Sequence, residues 1–290
     1  EEVFDYHHLL NNLNEELENS ILKDNNLSVI KHSKEYELNK SYSTPTNRII
    51  TSLYSKQRFL FILKYALVYV HKTNEDGKPT IEKHIMRYPQ IFATKAIAQK
   101  IKEGNKRGII WHTQGSGKTA LAYYNVKHLQ DYFQKENTIP KFYFIVDRLD
   151  LLKQAKTEFI NRGLSVNIVN SKQEFVSDIK KASALHNSSG NNEITVVNIQ
   201  KFSEESSSEA INDYDINIQR VYFLDEVHRS YNPKGSFLAN LINSDKNAII
   251  IGLTGTPLIT KNLYSKDLFG DYIHKYYYNM SIADGYTLKL

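Results

Sequence analysis

The chain has 290 residues, of which 41% are apolar and 24% charged, an ordinary globular composition that excludes wholesale disorder. Its formal net charge of +5, from 37 basic and 32 acidic residues, favours a polyanionic partner only mildly. There is no cysteine, which excludes a disulfide framework, a thiolate zinc site and a cysteine nucleophile.

The first residues, Glu1-Glu2-Val3-Phe4, are acidic and carry no apolar signal region. Glu1 to Asn19 is predicted to form an amphipathic helix with Leu9, Leu10, Leu13 and Leu17 on one side. A turn or linker follows around Pro45, over Ser41 to Asn47. The most apolar run, Phe59 to Val70, is interrupted by Lys64 and is too short to cross a bilayer as a helix, so it is predicted as a buried helix running into a strand. Asn74 to Pro79 is a loop, and up to about residue 80 no regular β/α alternation is present.

Beyond Pro79 short apolar runs alternate with helix-length segments. Strands are predicted at Gly108 to Trp111, Phe142 to Val146, Val166 to Val169, Ile194 to Val197, Val221 to Leu224 and Ala248 to Ile251. Helices are predicted from about Gly117 to Phe133 and near Asp150 to Asn161. Near-continuous β-branched runs separated by helices indicate an α/β fold with a mainly parallel sheet buried on both faces. The polar stretches His186 to Asn192 and Ser203 to Glu209 are expected as solvated loops.

The strongest motif is His112-Thr113-Gln114-Gly115-Ser116-Gly117-Lys118-Thr119, between a predicted strand and a predicted helix. Gly115 and Gly117 let the backbone turn its N–H groups around a phosphate chain. The following helix aims its positive end at the same anion. Lys118 can reach the β- and γ-phosphates of ATP, and the Thr119 hydroxyl can ligate Mg²⁺. His112 stands where the common phosphate-loop pattern has glycine.

Asp225-Glu226-Val227-His228 directly follows the apolar run Val221 to Leu224, at the strand end where open α/β sheets bind ligands. Asp225 is expected to hold Mg²⁺ and Glu226 to orient the attacking water. A third element, Leu253-Thr254-Gly255-Thr256-Pro257, again follows a strand. Taken alone each element has a plainer reading, as a helix cap or a turn; their order is what gives them meaning.

That order resembles the first RecA-like domain of superfamily 2 helicases and translocases. The wording of Trp111 to Thr119, Val146 to Leu151, Gln200-Lys201-Phe202 and Asp225 to Ser230 is similar to the motor subunit of type I restriction enzymes, over residues from about 85 to 275. The resemblance implies a RecA-like P-loop domain with a central, mainly parallel sheet flanked by helices, preceded by a smaller α+β segment. Residues 1–80 would be the tail of an upstream nuclease domain plus a helical linker, 81–275 the motor domain, and 276–290 the connection to a second motor domain. It also implies that Arg87 and Gln90 recognise adenine, and that Thr113, Gln114, Gly115, Ser116, Gly117, Lys118 and Thr119 bind the phosphates. Lys118, Asp225 and Glu226 would be catalytic. Asp147, Arg148, Gln200 and Lys201 would track DNA, and His228, Thr254, Gly255 and Thr256 would couple the nucleotide to it. Implied partners are double-stranded DNA and the specificity and methyltransferase subunits of a bacterial cytoplasmic complex.

In that superfamily a transition-state arginine comes from the second motor domain. The chain lacks an initiator Met and stops about where that domain should start, so it is expected to bind ATP–Mg²⁺ but to hydrolyse it poorly. Glu35-Tyr36-Glu37 and Glu82-Lys83 lack the strand context of a nuclease centre, which is expected upstream of Glu1. Two other readings stay open: another superfamily 2 translocase, of repair or type III restriction, and a P-loop kinase or nucleotide-binding module without DNA activity.

Overall fold

A computed structural model describes residues 15–34, 54, 56–181, 183–199, 218–226, 245–257, 259–260, 263–264 and 269–287. The expectations for residues 1–14, 41–47 and 203–209, and for Glu35, Glu37, Gln200, Lys201, Phe202 and His228, fall outside them. The chain divides into two compact units, Glu1–Leu67 and Val68–Leu290.

Within the first unit, α1 (Glu15–Asp24) is followed by a 3₁₀ turn (Ser28–His32). Further on, α2 (Lys56–Phe61) continues through a π turn, Ile62–Ala66. The helix running into a strand is present, since β1 (Leu67–Thr73) follows directly. It is not uniformly buried, however: Phe59, Leu60 and Leu63 are exposed, while Ile62 and Ala66 are covered.

The second unit begins with β1 pairing with β2 (Pro79–Ile85) as a two-stranded sheet. The turn between them closes through the Asn74 side chain, which accepts from the Lys78 N–H at 2.7 Å, with Gly77 at φ +76°. Glu82 and Lys83 therefore do sit on a strand, contrary to expectation. Alternation of Thr80, Glu82 and His84 against Ile81, Lys83 and Ile85 supplies the period of two. Glu82 is bound there by Lys72 at 2.7 Å and His84 at 2.8 Å, and no group of three or more His, Asp or Glu able to hold a metal occurs among the described residues.

The remaining elements alternate. They are α3 (Tyr88–Lys102), β3 (Arg107–His112), α4 (Lys118–Lys135), β4 (Ile139–Val146), α5 (Leu149–Asn161), β5 (Ser165–Val169), α6 (Lys172–Lys180), β6 (Glu193–Asn198), β7 (Ile218–Asp225) and β8 (Ile249–Thr254). The short pair β9 (Ile259–Thr260) and β10 (Leu263–Tyr264) follows, then β11 (Tyr272–Tyr276) and α7 (Tyr278–Ala283). Seven strands form one sheet in the order β11-β3-β8-β7-β4-β6-β5, every pair parallel. Parallel strands need crossovers, and the helices supply them, covering both faces. β6, β8 and nearly all of β4 and β7 are buried, with Tyr143, Tyr222 and Phe175 packed on one face and Phe144 and Phe159 on the other. Among the described residues no helix is long and apolar enough to cross a membrane.

The end of the sheet opposite the motifs is tied by buried charge. Arg220 on β7 pairs with Asp245 through two nitrogens, and Asp245 also accepts from the Ala248 N–H at 3.1 Å as the chain enters β8. Beside it Lys141 on β4 reaches the Asp178 carboxylate at 3.3 Å, and His186 bridges Asp178 and Glu193. The loop 186–192 is thus pinned at its root as well as solvated at its tip. Asp245→Ala takes the carboxylate away from a buried guanidinium, which costs about 3–5 kcal/mol of stability. We expect a lower denaturant midpoint at unchanged slope; a loss below about 1 kcal/mol would show that the pair does not anchor β7 to β8.

Candidate functional site

Three strand ends meet at the carboxyl edge of the sheet. β8 lies between β3 and β7, so the segments after Trp111, Asp225 and Thr254 are neighbours although far apart in sequence. The phosphate-loop segment leaves β3, turns through Gly115 at φ +79° and Gly117 at φ +81°, and enters α4 at Lys118. The first helical bond runs from the Leu121 N–H to the Gly117 carbonyl at 2.9 Å. The N–H groups of Lys118, Thr119 and Ala120 therefore have no acceptor within the helix, as the first turn of any helix requires. The loop is seated from below by the Thr113 N–H, which donates to the Tyr276 carbonyl of β11 at 3.1 Å.

Lys118 Nζ lies 3.6 Å from Glu226 Oε1 and 3.4 Å from the His112 carbonyl. The two motifs that the sequence kept apart by more than a hundred positions thus share one cleft. Glu226 adopts φ +54°, a left-handed backbone that a side-chain-bearing residue seldom takes and that is commonly found at functional sites. Its carboxylate is held on both oxygens: Thr254 Oγ1 donates to Oε2 at 2.7 Å, and the Gly255 N–H donates to Oε1 at 2.6 Å. The Thr256 N–H in turn donates to Thr254 Oγ1 at 3.1 Å. A Cβ on Gly255 would lie 3.2 Å from the Gln114 nitrogen and 3.5 Å from Lys118 Nζ, so glycine permits this approach.

Asp225 closes β7 and is nearly buried. Burial pushes its carboxyl up to about 6; Lys118 pulls it down, and Glu226 and Asp147 push it up further. Its Oδ1 is buried and has no hydrogen-bond partner, and the same is true of Ser116 Oγ in the loop. A desolvated carboxylate oxygen with nothing to bind, beside a loop of open N–H groups, suits a metal-bound polyphosphate. The donor set, a carboxylate of Asp225 and the hydroxyl of Thr119 in the first turn of α4, is the oxygen chemistry that Mg²⁺ takes.

The other residues singled out by the sequence make the following contacts. Gln90 is buried, and both ends of its amide are engaged: Oε1 accepts from the Arg87 N–H at 2.9 Å, and Nε2 donates to the Gly117 carbonyl at 3.0 Å. Arg87 extends along the loop, donating to the Gly115 carbonyl at 3.3 Å while its guanidinium lies 4.2 Å from the centre of the Tyr286 ring. Asp147 and Arg148 follow β4 next to β7, and the Arg148 side chain is largely exposed, 3.8 Å from Asp150.

His112, in the position where the common loop has glycine, is fully buried and its Nε2 lies 2.8 Å from His274 Nδ1 on β11. Burial, then His274 and Lys118, hold its pKa well below the usual histidine value, so it is neutral at physiological pH and a single proton occupies the His–His bond. Sequence reasoning missed His274, Tyr286 and the contact of Trp111 with Gly255. Tyr286 lies within residues 276–290, read only as a connection, and His274 lies at the end of the span given to the motor domain, with no motif around it.

The SWI2/SNF2 ATPase family profile matches residues 89–290, which is most of the chain. The chain is 32% identical over 212 residues to the SsaAORF53P type I restriction enzyme endonuclease subunit of Staphylococcus saprophyticus, covering 70% of this chain and 21% of that one. It is 30% identical over 212 residues to the SauMSSORF170P type I restriction enzyme endonuclease subunit of Staphylococcus aureus, with the same coverage of 70% and 21%. The chain thus spans about a fifth of the length of these relatives. The structure resembles the ATP-dependent Type ISP restriction-modification enzyme LlaBIII bound to DNA, with a TM-score of 0.54 and 17% identity over 73% of this chain and 16% of that one. That likeness concerns the fold alone and agrees with a mainly parallel α/β sheet flanked by helices. With the phosphate loop, the acidic strand end and the family match over residues 89–290 in agreement, the chain belongs to the SWI2/SNF2 ATPase family.

Proposed function

We propose that this chain is the ATP-driven motor portion of a type I restriction enzyme endonuclease subunit, moving on double-stranded DNA. The observation that supports it most is the 3.6 Å approach of Lys118 to Glu226 beside the orphaned, nearly buried Asp225. Lys118 is paired with Glu226, the proposed hydrolytic carboxylate. ATP binding draws its ammonium onto the β- and γ-phosphate oxygens, with the N–H groups of Gly115 to Thr119 around them. Thr119 and Asp225 would hold Mg²⁺, which would supply positive charge to offset that developing on the transferred phosphoryl group. Glu226 orients the attacking water and accepts its proton.

Placement supports assigning Asp147 and Arg148 to the DNA side, since they lie at the same sheet edge as the cleft and Arg148 is exposed. Gln200 and Lys201 are assigned there, and His228 to coupling, on their motifs alone. Adenine recognition is better carried by Arg87, whose guanidinium borders the loop, than by Gln90, whose amide is committed to the protein. The specificity and methyltransferase subunits are the proposed partners, in a bacterial cytoplasm. Duplex cleavage is proposed for the whole subunit.

Glu226→Gln in the full-length protein keeps ATP affinity within about threefold and lowers hydrolysis by roughly 10²- to 10⁴-fold, the usual contribution of a general base. Wild-type turnover by that variant would remove Glu226 from the chemistry. Duplex DNA should bind with an affinity that falls steeply with salt. A salt-independent signal, or none, favours a nucleotide-binding module that does no DNA work.

Asp225 gives a test by pH. Its folded-state pKa lies above the ordinary 3.8, so the folded protein holds this proton more tightly than the unfolded chain. The resulting stabilisation is complete below about 4 and is lost as pH rises through about 6. From about 6 against 3.8, ionising Asp225 costs up to about 3 kcal/mol at pH 7.5. Asp225→Asn should therefore raise the denaturation midpoint at pH 7.5, have little effect near pH 4, and abolish Mg²⁺-dependent ATP hydrolysis. A destabilising effect at pH 7.5 would contradict the assignment of a functional, unsatisfied carboxylate.

A further inference from the structure

The chain contains one tryptophan, Trp111, at the end of β3 immediately before the phosphate loop. Its indole N–H, which can only donate, reaches the Gly255 carbonyl at 3.2 Å. Gly255 is also the residue whose own N–H holds Glu226 Oε1 at 2.6 Å, while the adjacent Thr254 hydroxyl holds Oε2 at 2.7 Å. Both oxygens of the carboxylate are therefore fixed by one two-residue turn, and Trp111 holds the far side of that turn.

The N–H and the carbonyl of Gly255 belong to different peptide planes, joined through the two backbone torsions of Gly255 itself. Glycine leaves those torsions freer than any other residue. It is required here because the turn is pressed against the phosphate loop: a Cβ would meet the His112 carbonyl at 3.3 Å and the Gln114 nitrogen at 3.2 Å. The residue that must be glycine for space is thus the hinge on which the orientation of Glu226 depends, and it needs an outside tether. Trp111 supplies one from the rigid sheet. Its ring is set edge-on to Tyr277 at 4.7 Å and tilted against Tyr272 at 5.4 Å, both contacts independent of the cleft.

We propose that Trp111 is a positioning residue for Glu226, acting through the Gly255 peptide to keep the carboxylate aimed into the cleft. The inference rests on the motor reading above, in which Glu226 is the base. Trp111 touches neither nucleotide nor water in this scheme; it sets the geometry of the residue that does.

The test uses the full-length protein, ATP with Mg²⁺, and two substitutions. Trp111→Phe deletes the donor together with part of the ring. Replacement of Trp111 by benzothienylalanine exchanges the N–H for sulfur at nearly constant shape, so it isolates the hydrogen bond even if the phenylalanine variant folds poorly. Each should leave the ATP KM within about twofold and lower kcat and the single-turnover rate roughly 3- to 10-fold, the worth of one neutral hydrogen bond. In the Glu226→Gln background the same replacement should change the rate little, because the group it positions is gone.

If the wild type does not hydrolyse ATP, or Glu226→Gln turns over normally, the motor reading fails and takes this inference with it. If Glu226→Gln is crippled while the benzothienylalanine variant keeps the wild-type rate, the motor reading stands and Trp111 has no positioning role. The role is equally overturned if the loss in kcat is matched by a rise in KM, or if the two losses are additive.

Discussion

A single parallel sheet in which β8 runs between β3 and β7 is the constraint on which the cleft depends. Neighbouring strands lie about 4.8 Å apart, so the ends of β3 and β7 are separated by roughly twice that. A lysine entering α4 from one end and a carboxylate leaving the other can meet only across the top of β8. Lys118 does so, at 3.6 Å from Glu226. The strand beneath must then end in something small, and Gly255, with Lys118 Nζ 3.5 Å from where its Cβ would be, meets that need. The glycine of the Thr-Gly-Thr wording is thus explained by the space between β3 and β7.

The same crowding sets the electrostatics. Lys118 contacts Glu226 and its charge also acts on Asp225, and Asp147 lies close enough to push Asp225 up further. Asp225 responds by holding its proton to about pH 6, and Glu226 responds by recruiting Thr254, Gly255 and Lys118. A divalent cation at Asp225 would satisfy its orphaned oxygen and stabilise the ionised form, while phosphate oxygens would take over Lys118. The cleft therefore carries an unsatisfied buried carboxylate oxygen and a residue at φ +54°, costs of the kind that cluster at functional sites.

Much of this was legible in the sequence because the signals were local and redundant. Six strands of the main sheet announced themselves as β-branched or aromatic runs, and each motif sat directly after one of them. β11 did not, because Tyr272-Ile273-His274-Lys275-Tyr276 carries a lysine and a histidine and reads as a polar connector. It is an edge strand, so Lys275 is exposed there and still packs on the Tyr272 ring at 4.9 Å, while His274 is buried and faces His112. β1 and the turn after it were expected but β2 was not: it leaves Ile81 and Ile85 exposed beside Glu82 and Lys83, a pattern without a clear apolar side. Contacts made across the sheet, such as Trp111 to Gly255, separate residues by more than a hundred positions and leave no trace in spacing.

Gln90 ties two elements that the sequence keeps apart. Its amide spans the Arg87 N–H and the Gly117 carbonyl, and a Cβ on Gly117 would lie 2.6 Å from Gln90 Nε2. The first turn of α3 and the phosphate loop are therefore one mechanical piece. On the other flank of α3, the hydroxyls of Tyr88 and Tyr276 converge on Asp284, and Tyr286 lies under Arg87, whose guanidinium also holds the Gly115 carbonyl. A shift of the loop on taking up a polyphosphate must either break these bonds or carry the 284–286 segment with it. The second is cheaper, because Asp284 and Tyr286 lie in the turn after α7 whereas Gln90 is locked in the core. Residues beyond the last strand are thus joined through α3 to the phosphate-loop segment by contacts that run from Asp284 and Tyr286 to Gly115 and Gly117.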